Sequence, residues 1–115
     1  MEATRDRASV RYRDGIAILD LPAQIDSTAE ATLGDAYREA VAHGPGSILL
    51  NFAGVEFLTS TGIALIVGIL ARARKDGRAV SSCGLSDHYR EIFEITRLVD
   101  FMRIFPDEAS AVSGR

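Results

Sequence analysis

Apolar and polar positions along this chain change their period several times, and each change marks an element. SVRYR at 9–13 alternates weakly, IAILDL at 16–21 is nearly all apolar, and Asp14-Gly15 lies between them. Two short strands around Asp-Gly predict a β-hairpin, with Ile16, Ile18 or their neighbours facing a core. Pro22 ends the second strand, because it has no N–H for a ladder. After AQID, Ser27 and Thr28 are read as N-caps. Ala29, Leu33, Ala36, Tyr37, Ala40 and Val41 then recur at helical spacing, with Glu30, Asp35, Arg38 and Glu39 on the other side. Gly44-Pro45-Gly46 stops that helix.

SILLNF at 47–52 is a continuous apolar run between breakers, as a buried central strand would be. GIALIVGIL at 62–70 is ambiguous by period alone, but it flows into ARARKDG, with basic residues in a last turn and Gly77 as C-cap. Residues 62–75 therefore read as a mostly buried helix, Leu65 and Ile69 included. Residues 78–82 read as a strand and 87–95 as a helix capped by Ser86, with Tyr89, Ile92 and Phe93 inward. MRIF at 102–105 is the last strand. A helix beginning at Pro106, with Asp107 and Glu108 in its first turn, runs into a frayed end. This alternation predicts one α/β domain over 9–112, with a single sheet and crossover helices. Residues 1–8 would be a flexible tail and 113–115 a frayed terminus.

With 115 residues and 47% apolar content, the chain can build one core without help from metal or disulfides. A net charge of −3 gives no footing for nucleic acid. The single cysteine, Cys83, suits a reducing compartment. The first residues lack a secretory h-region, and the run at 62–70 is too short to insert in a membrane. A cytoplasmic protein is expected.

Enzyme chemistry finds little support. A serine elbow needs G-x-S-x-G, and Leu58 stands where the first Gly should be. His43 and His88 are not spaced to serve Ser60. There is no phosphate-cradling G-x-x-x-x-G-K-[ST], and one Cys with two scattered His makes no metal cluster. Asp26 and Glu56 read as loop carboxylates. No catalytic residue, cofactor or metal is expected.

One feature asks for an explanation: Thr59-Ser60-Thr61 places three hydroxyls in a row before the apolar helix. Capping accounts for one of them. A phosphate on Ser60 would meet free N–H groups and the positive end of the helix dipole, and would change the sign of that face without unfolding it. Capping and switching both remain open on these grounds. Loops that precede crossover helices emerge on one rim of a sheet, so a partner is expected to touch Ser60, Thr61, the exposed side of helix 62–75 and the loop holding Gln24, Asp26 and Ser27. Arg72 or Arg74 would lie on the rim of that contact.

Taken in order, DGIAILDL, AQID, SILLNFAGVEFLTSTGIALIVGILARARKDGR, GLSDHYREIFEITRL and FMRIFPDEASAV resemble a STAS domain, in particular the bacterial anti-sigma factor antagonists. The resemblance implies that Ser60 is the phosphoacceptor, with Thr59, Thr61 and Gly62 as its supporting loop. The implied partners are a histidine-kinase-like serine kinase that doubles as anti-sigma factor, and a metal-dependent serine phosphatase. The unphosphorylated form would bind the kinase as a monomer or weak dimer, and phosphorylation would release it. The alternative within the family is a non-switching adaptor or scaffold subunit of a signalling or lipid-transport complex. Two positions depart from the family pattern. Thr59 replaces the usual Asp before the phosphoacceptor, which either slows phosphate transfer or hands the cap to a threonine. Arg97 stands where Gly is common, so a left-handed turn there is expected to be made differently.

Overall fold

The structure, a computed structural model, describes residues 7–114. Its main sheet has five strands, lying in the order Ser9–Arg13, Ile16–Asp20, Ser47–Asn51, Ala79–Cys83 and Arg103–Phe105. β1 (Ser9–Arg13) and β2 (Ile16–Asp20) form the expected antiparallel hairpin. Asp14 and Gly15 both have positive φ, 53° and 79°, as a type I′ turn requires. β2 pairs in parallel with β4 (Ser47–Asn51), β4 with β6 (Ala79–Cys83), and β6 with β7 (Arg103–Phe105). Helices α1 (Glu30–Val41), α2 (Ser60–Lys75) and α3 (Asp87–Ile95) bridge the parallel steps, and α4 (Glu108–Ser113) follows β7. The mixed sheet with crossover helices is the architecture that the alternation implied.

Because side chains alternate along a strand, register divides the sheet into two faces. Ala17, Leu19, Ile48, Leu50 and Val80 pack with α1, α2 and α3, where Tyr37, Ile66 and Phe93 are nearly or fully buried. Ile16, Ile18, Leu49 and Cys83 point the other way, against Ala111 and Val112 of α4. Arg11 and Arg13 of β1 hold α4 down through Glu108, at 2.7 Å and 3.0 Å.

The structure corrects several expectations. Beside the main sheet lies a second, two-stranded parallel ladder, β3 (Gln24–Ile25) with β5 (Phe57–Leu58). Ser27 and Thr28 are not caps: they sit within a 3-10 turn, Ser27–Ala29, that Asp26 caps. Helix α2 starts at Ser60, not residue 62, and it is buried along one face only, through Gly62, Ile66, Ile69, Leu70 and Ala73. Leu65 is half-buried, while Ala64, Val67, Gly68 and Ala71 are exposed. The expected stop at Gly77 is a Schellman motif: φ is 77°, and the N–H groups of Arg78 and Gly77 donate to the carbonyls of Ala73 and Arg74. Arg97 makes the left-handed turn itself, with φ 66°, and its Nε donates to Asp100 at 2.8 Å. Asp107 caps α4 and does not lie in its first turn. Ser113 closes that helix, and Arg115 lies outside the described residues. Of the tail expected at 1–8, residues 1–6 also lie outside them, while the Ala8 N–H donates to Thr32 Oγ1 at 2.9 Å.

Candidate functional site

The loops before α1 and α2 are tied together by backbone. Gln24 stands opposite Phe57 and Ile25 opposite Leu58, and the N–H groups of Glu56 and Phe57 both donate to the Ala23 carbonyl, at 2.7 Å and 3.1 Å. From the other side the Leu58 N–H donates to Tyr89 Oη at 3.0 Å, so α3 braces the same strand. The hydroxyl run follows directly. Its position is set by chain segments far apart in sequence.

Thr59 is the N-cap of α2. Its Oγ1 accepts from the Gly62 N–H at 3.0 Å and donates to the Ile25 carbonyl at 3.3 Å, while its own N–H donates to that same carbonyl at 3.1 Å. One hydroxyl thus closes the helix end and fastens it to β3. A carboxylate at this position would accept from the helix equally well, but it has no proton for Ile25. Gly62 completes the joint. A Cβ built there would lie 1.9 Å from the Ile25 oxygen, so only glycine lets the helix approach this closely.

With the cap supplied by Thr59, Ser60 and Thr61 are free of that duty. Both are exposed, and neither hydroxyl takes a hydrogen bond among the described residues. Their backbone N–H groups, the first two of the helix, are likewise unbonded there. The end of a 16-residue helix therefore presents two open N–H donors and two hydroxyls on one exposed turn.

Advancing about 100° per residue, α2 aligns Ser60 with Ala64, Val67, Ala71 and Lys75 on its outer face, with Gly68 alongside. All six are exposed. Arg72 and Arg74 flank this stripe on either side, but they lie roughly 18 and 21 Å along the helix from Ser60, at about 1.5 Å per residue. The structure does not gather them with the hydroxyls: Arg72 stacks on the Tyr37 ring at 4.5 Å and Arg74 on Phe101 at 5.9 Å. Gln24 and Ser27 are exposed beside the hydroxyl loop. Asp26 is occupied with capping, because Oδ1 accepts from the Thr28 hydroxyl at 2.5 Å and from its N–H at 2.9 Å. These bonds hold its carboxyl below the usual range.

Neither histidine serves the hydroxyls. His43 Nδ1 lies 3.0 Å from Tyr12 Oη, and the ring of His88 rests against Tyr89. Among the described residues no group of three or more His, Cys, Asp or Glu side chains gathers to hold a metal, and no helix is long and apolar enough to cross a membrane.

The STAS domain family matches residues 7–111. The chain belongs to that family. Anti-sigma-F factor antagonist RsfB of Mycobacterium tuberculosis is 28% identical over 94 residues, covering 71% of this chain and 77% of the relative. In fold, this STAS domain is similar to an anti-sigma factor antagonist from Mycobacterium paratuberculosis, with TM-score 0.79 and 20% identity over 93% of this chain and 91% of the other. It is also similar to the Bacillus cell fate determinant SpoIIAA in its phosphorylated form, with TM-score 0.70 and 18% identity over 94% and 99% of the two chains.

Three residues that shape the STAS loop escaped the sequence reading. Ile25 contributes only a carbonyl to the joint, which no side-chain pattern reveals. Tyr89 looked like an ordinary inward residue of α3, and its hydroxyl gave no sign of reaching Leu58. Phe57, 49% exposed next to Gln24, was visible as an aromatic in a polar loop, a signal that was available.

Proposed function

We propose that this domain is an anti-sigma factor antagonist of a partner-switching pathway, with Ser60 as its phosphoacceptor. The observation that carries the reading is the division of labour among the three hydroxyls: Thr59 is consumed by the cap, whereas Ser60 is exposed, unbonded and at the head of the outer stripe of α2. The small residues of that stripe let a partner helix or strand approach closely. A phosphate at its head adds about −1.5 to −2 charges to the contact while the open N–H groups of α2 compensate it within the domain. Unphosphorylated protein binds a histidine-kinase-like serine kinase that acts as anti-sigma factor, phosphorylation releases it, and a metal-dependent serine phosphatase resets the cycle. The family resemblance and the names of the relatives support this assignment. Gln24, Ser27 and Phe57 belong to the kinase contact, and Asp26 shapes it.

The test is intact-mass analysis after incubation with the cognate kinase and ATP. A single phosphate on the wild type, absent from Ser60→Ala, is the expected outcome; a gain that persists in Ser60→Ala moves the acceptor to Thr61. Tight kinase binding without any mass gain would favour the second reading, a non-switching adaptor, for which the absence of the family's usual Asp at Thr59 is the specific observation.

A further inference from the structure

A groove of about 1190 Å³ opens at the far end of α2 from Ser60, between the last turns of that helix, α3 and the 3-10 turn Leu98–Asp100. Its floor continues the outer stripe of α2 through Val67 and Ala71, and Phe101, 56% exposed, forms a wall. The volume exceeds the range of roughly 300–1,000 Å³ usual for small-molecule sites. A chain segment fits it better than a metabolite does.

The charge of the groove is opposite to that of the protein. Arg74, Arg78, Arg90 and Arg103 line it against two carboxylates, Glu94 and Asp100, on a chain whose net charge is −3. Asp100 is already engaged by Arg97 at 2.8 Å. Arg103 donates to the carbonyl of Gly114, which orients its guanidinium group without neutralising it, while Arg78 donates to that of Pro45 and stands 3.7 Å from Asp76, whose carboxylate also accepts from the Tyr37 hydroxyl. Arg90 stands 3.6 Å from Asp87, and Arg74 has no carboxylate partner among the described residues, only the face of Phe101. An apolar floor with an exposed ring and under-neutralised guanidinium groups selects carboxylates around a bulky apolar side chain.

We infer that this groove is a second docking site, for an acidic amphipathic segment of a partner protein that anchors an apolar side chain against Phe101. The inference extends the proposed function, because the groove prolongs the same stripe that Ser60 heads, yet it stands on its own residues.

The test uses full-length protein, the capped acidic peptide EELEEFLEEL and its basic counterpart KKLKKFLKKL. Amide shift mapping should place the acidic peptide at Ala71, Arg74 and Phe101, with Thr59 to Gly62 unmoved. Arg74→Glu and Phe101→Ser, both surface changes, should each weaken binding about tenfold or more, while Ser60→Ala leaves it intact. Equal binding of the basic peptide, no shifts at saturating peptide, or an affinity indifferent to both variants would overturn the site. So would a dimer that sedimentation shows to be lost in Phe101→Ser, since the occupant would then be a second copy. None of these outcomes depends on whether Ser60 accepts phosphate.

Discussion

The carbonyl oxygen of Ile25 sits 1.9 Å from the place where a Cβ on Gly62 would be, so β3 and α2 touch backbone to backbone beside Ser60. Both sides of the collision are main chain, and no side chain can rotate away. Gly62→Ala should therefore destabilise the domain by about 1–3 kcal/mol, the usual cost of forced overpacking. Urea denaturation measures it. Unchanged stability would mean that the ladder and the helix part at little cost.

Thr59 predicts a different outcome. Thr59→Ser keeps both the accepting and the donating role and should be near neutral. Thr59→Asp keeps the cap but loses the bond to the Ile25 carbonyl and places two acceptors together, costing about 1 kcal/mol. Restoring the family's usual Asp should thus loosen this particular loop. Paired denaturant titrations of the two variants decide it, and equal stability would remove the two-way role of the hydroxyl.

Two neighbours on α2 make a sharper control of the helix phase. Ile66 is 0% exposed, so Ile66→Ala should cost about 2–5 kcal/mol, whereas half-buried Leu65 should cost clearly less when truncated. Here the limits of the sequence become physical. GIALIVGIL is apolar around almost the whole helix, so composition could not say which stripe met the core; only packing against β3, β6 and α1 decides that Ile66 goes in and Val67 stays out. The hairpin, α1, β4, β6 and α3 were legible because period and breakers agreed. β3 and β5, two residues each, are too short to show any period, and Asp26 outcompeted Ser27 for the cap because the chain enters a 3-10 turn first.

Arg97 holds a left-handed conformation that costs a side chain about 1–2 kcal/mol. Arg97→Gly should return about 0.5–1 kcal/mol of this, after loss of the exposed contact to Asp100 and the added freedom of the unfolded glycine chain. Thermal unfolding should shift upward. A downward shift would show that the arginine side chain matters more than its strain.

The clamp on α4 gives a pH prediction. Arg11 hydrogen-bonds Glu108 and holds its carboxyl below the usual range against a smaller opposing effect of burial, with Arg13 assisting. A depressed folded value means that the stabilisation is present above the unfolded glutamate pKa, about 4.3, and is lost as pH falls through the lower folded value. Glu108→Gln should cost about 0.5–1 kcal/mol at pH 7, kept small because Arg11 and Arg13 are nearly half exposed, and the difference from wild type should close in acid. Cys83 supplies a second readout. It is 1% exposed on the face that α4 covers, and burial pushes its thiol up to about 11. Reaction with a thiol reagent at pH 8 should be slow in the wild type and faster in Glu108→Gln, because α4 opens more often.

The ladder that pairs Gln24 with Phe57 joins positions more than thirty residues apart, and it is what gives Ser60 its setting. The surroundings of the hydroxyl are consequently made by the fold and not by a linear stretch of sequence. A peptide copied from residues 55–63 carries every side chain of the loop and neither of the carbonyls, of Ala23 and Ile25, that shape it. Under the proposed function, a kinase that acts on Ser60 would interrogate the folded state of the whole domain, and a destabilised or half-made copy would be silent to it.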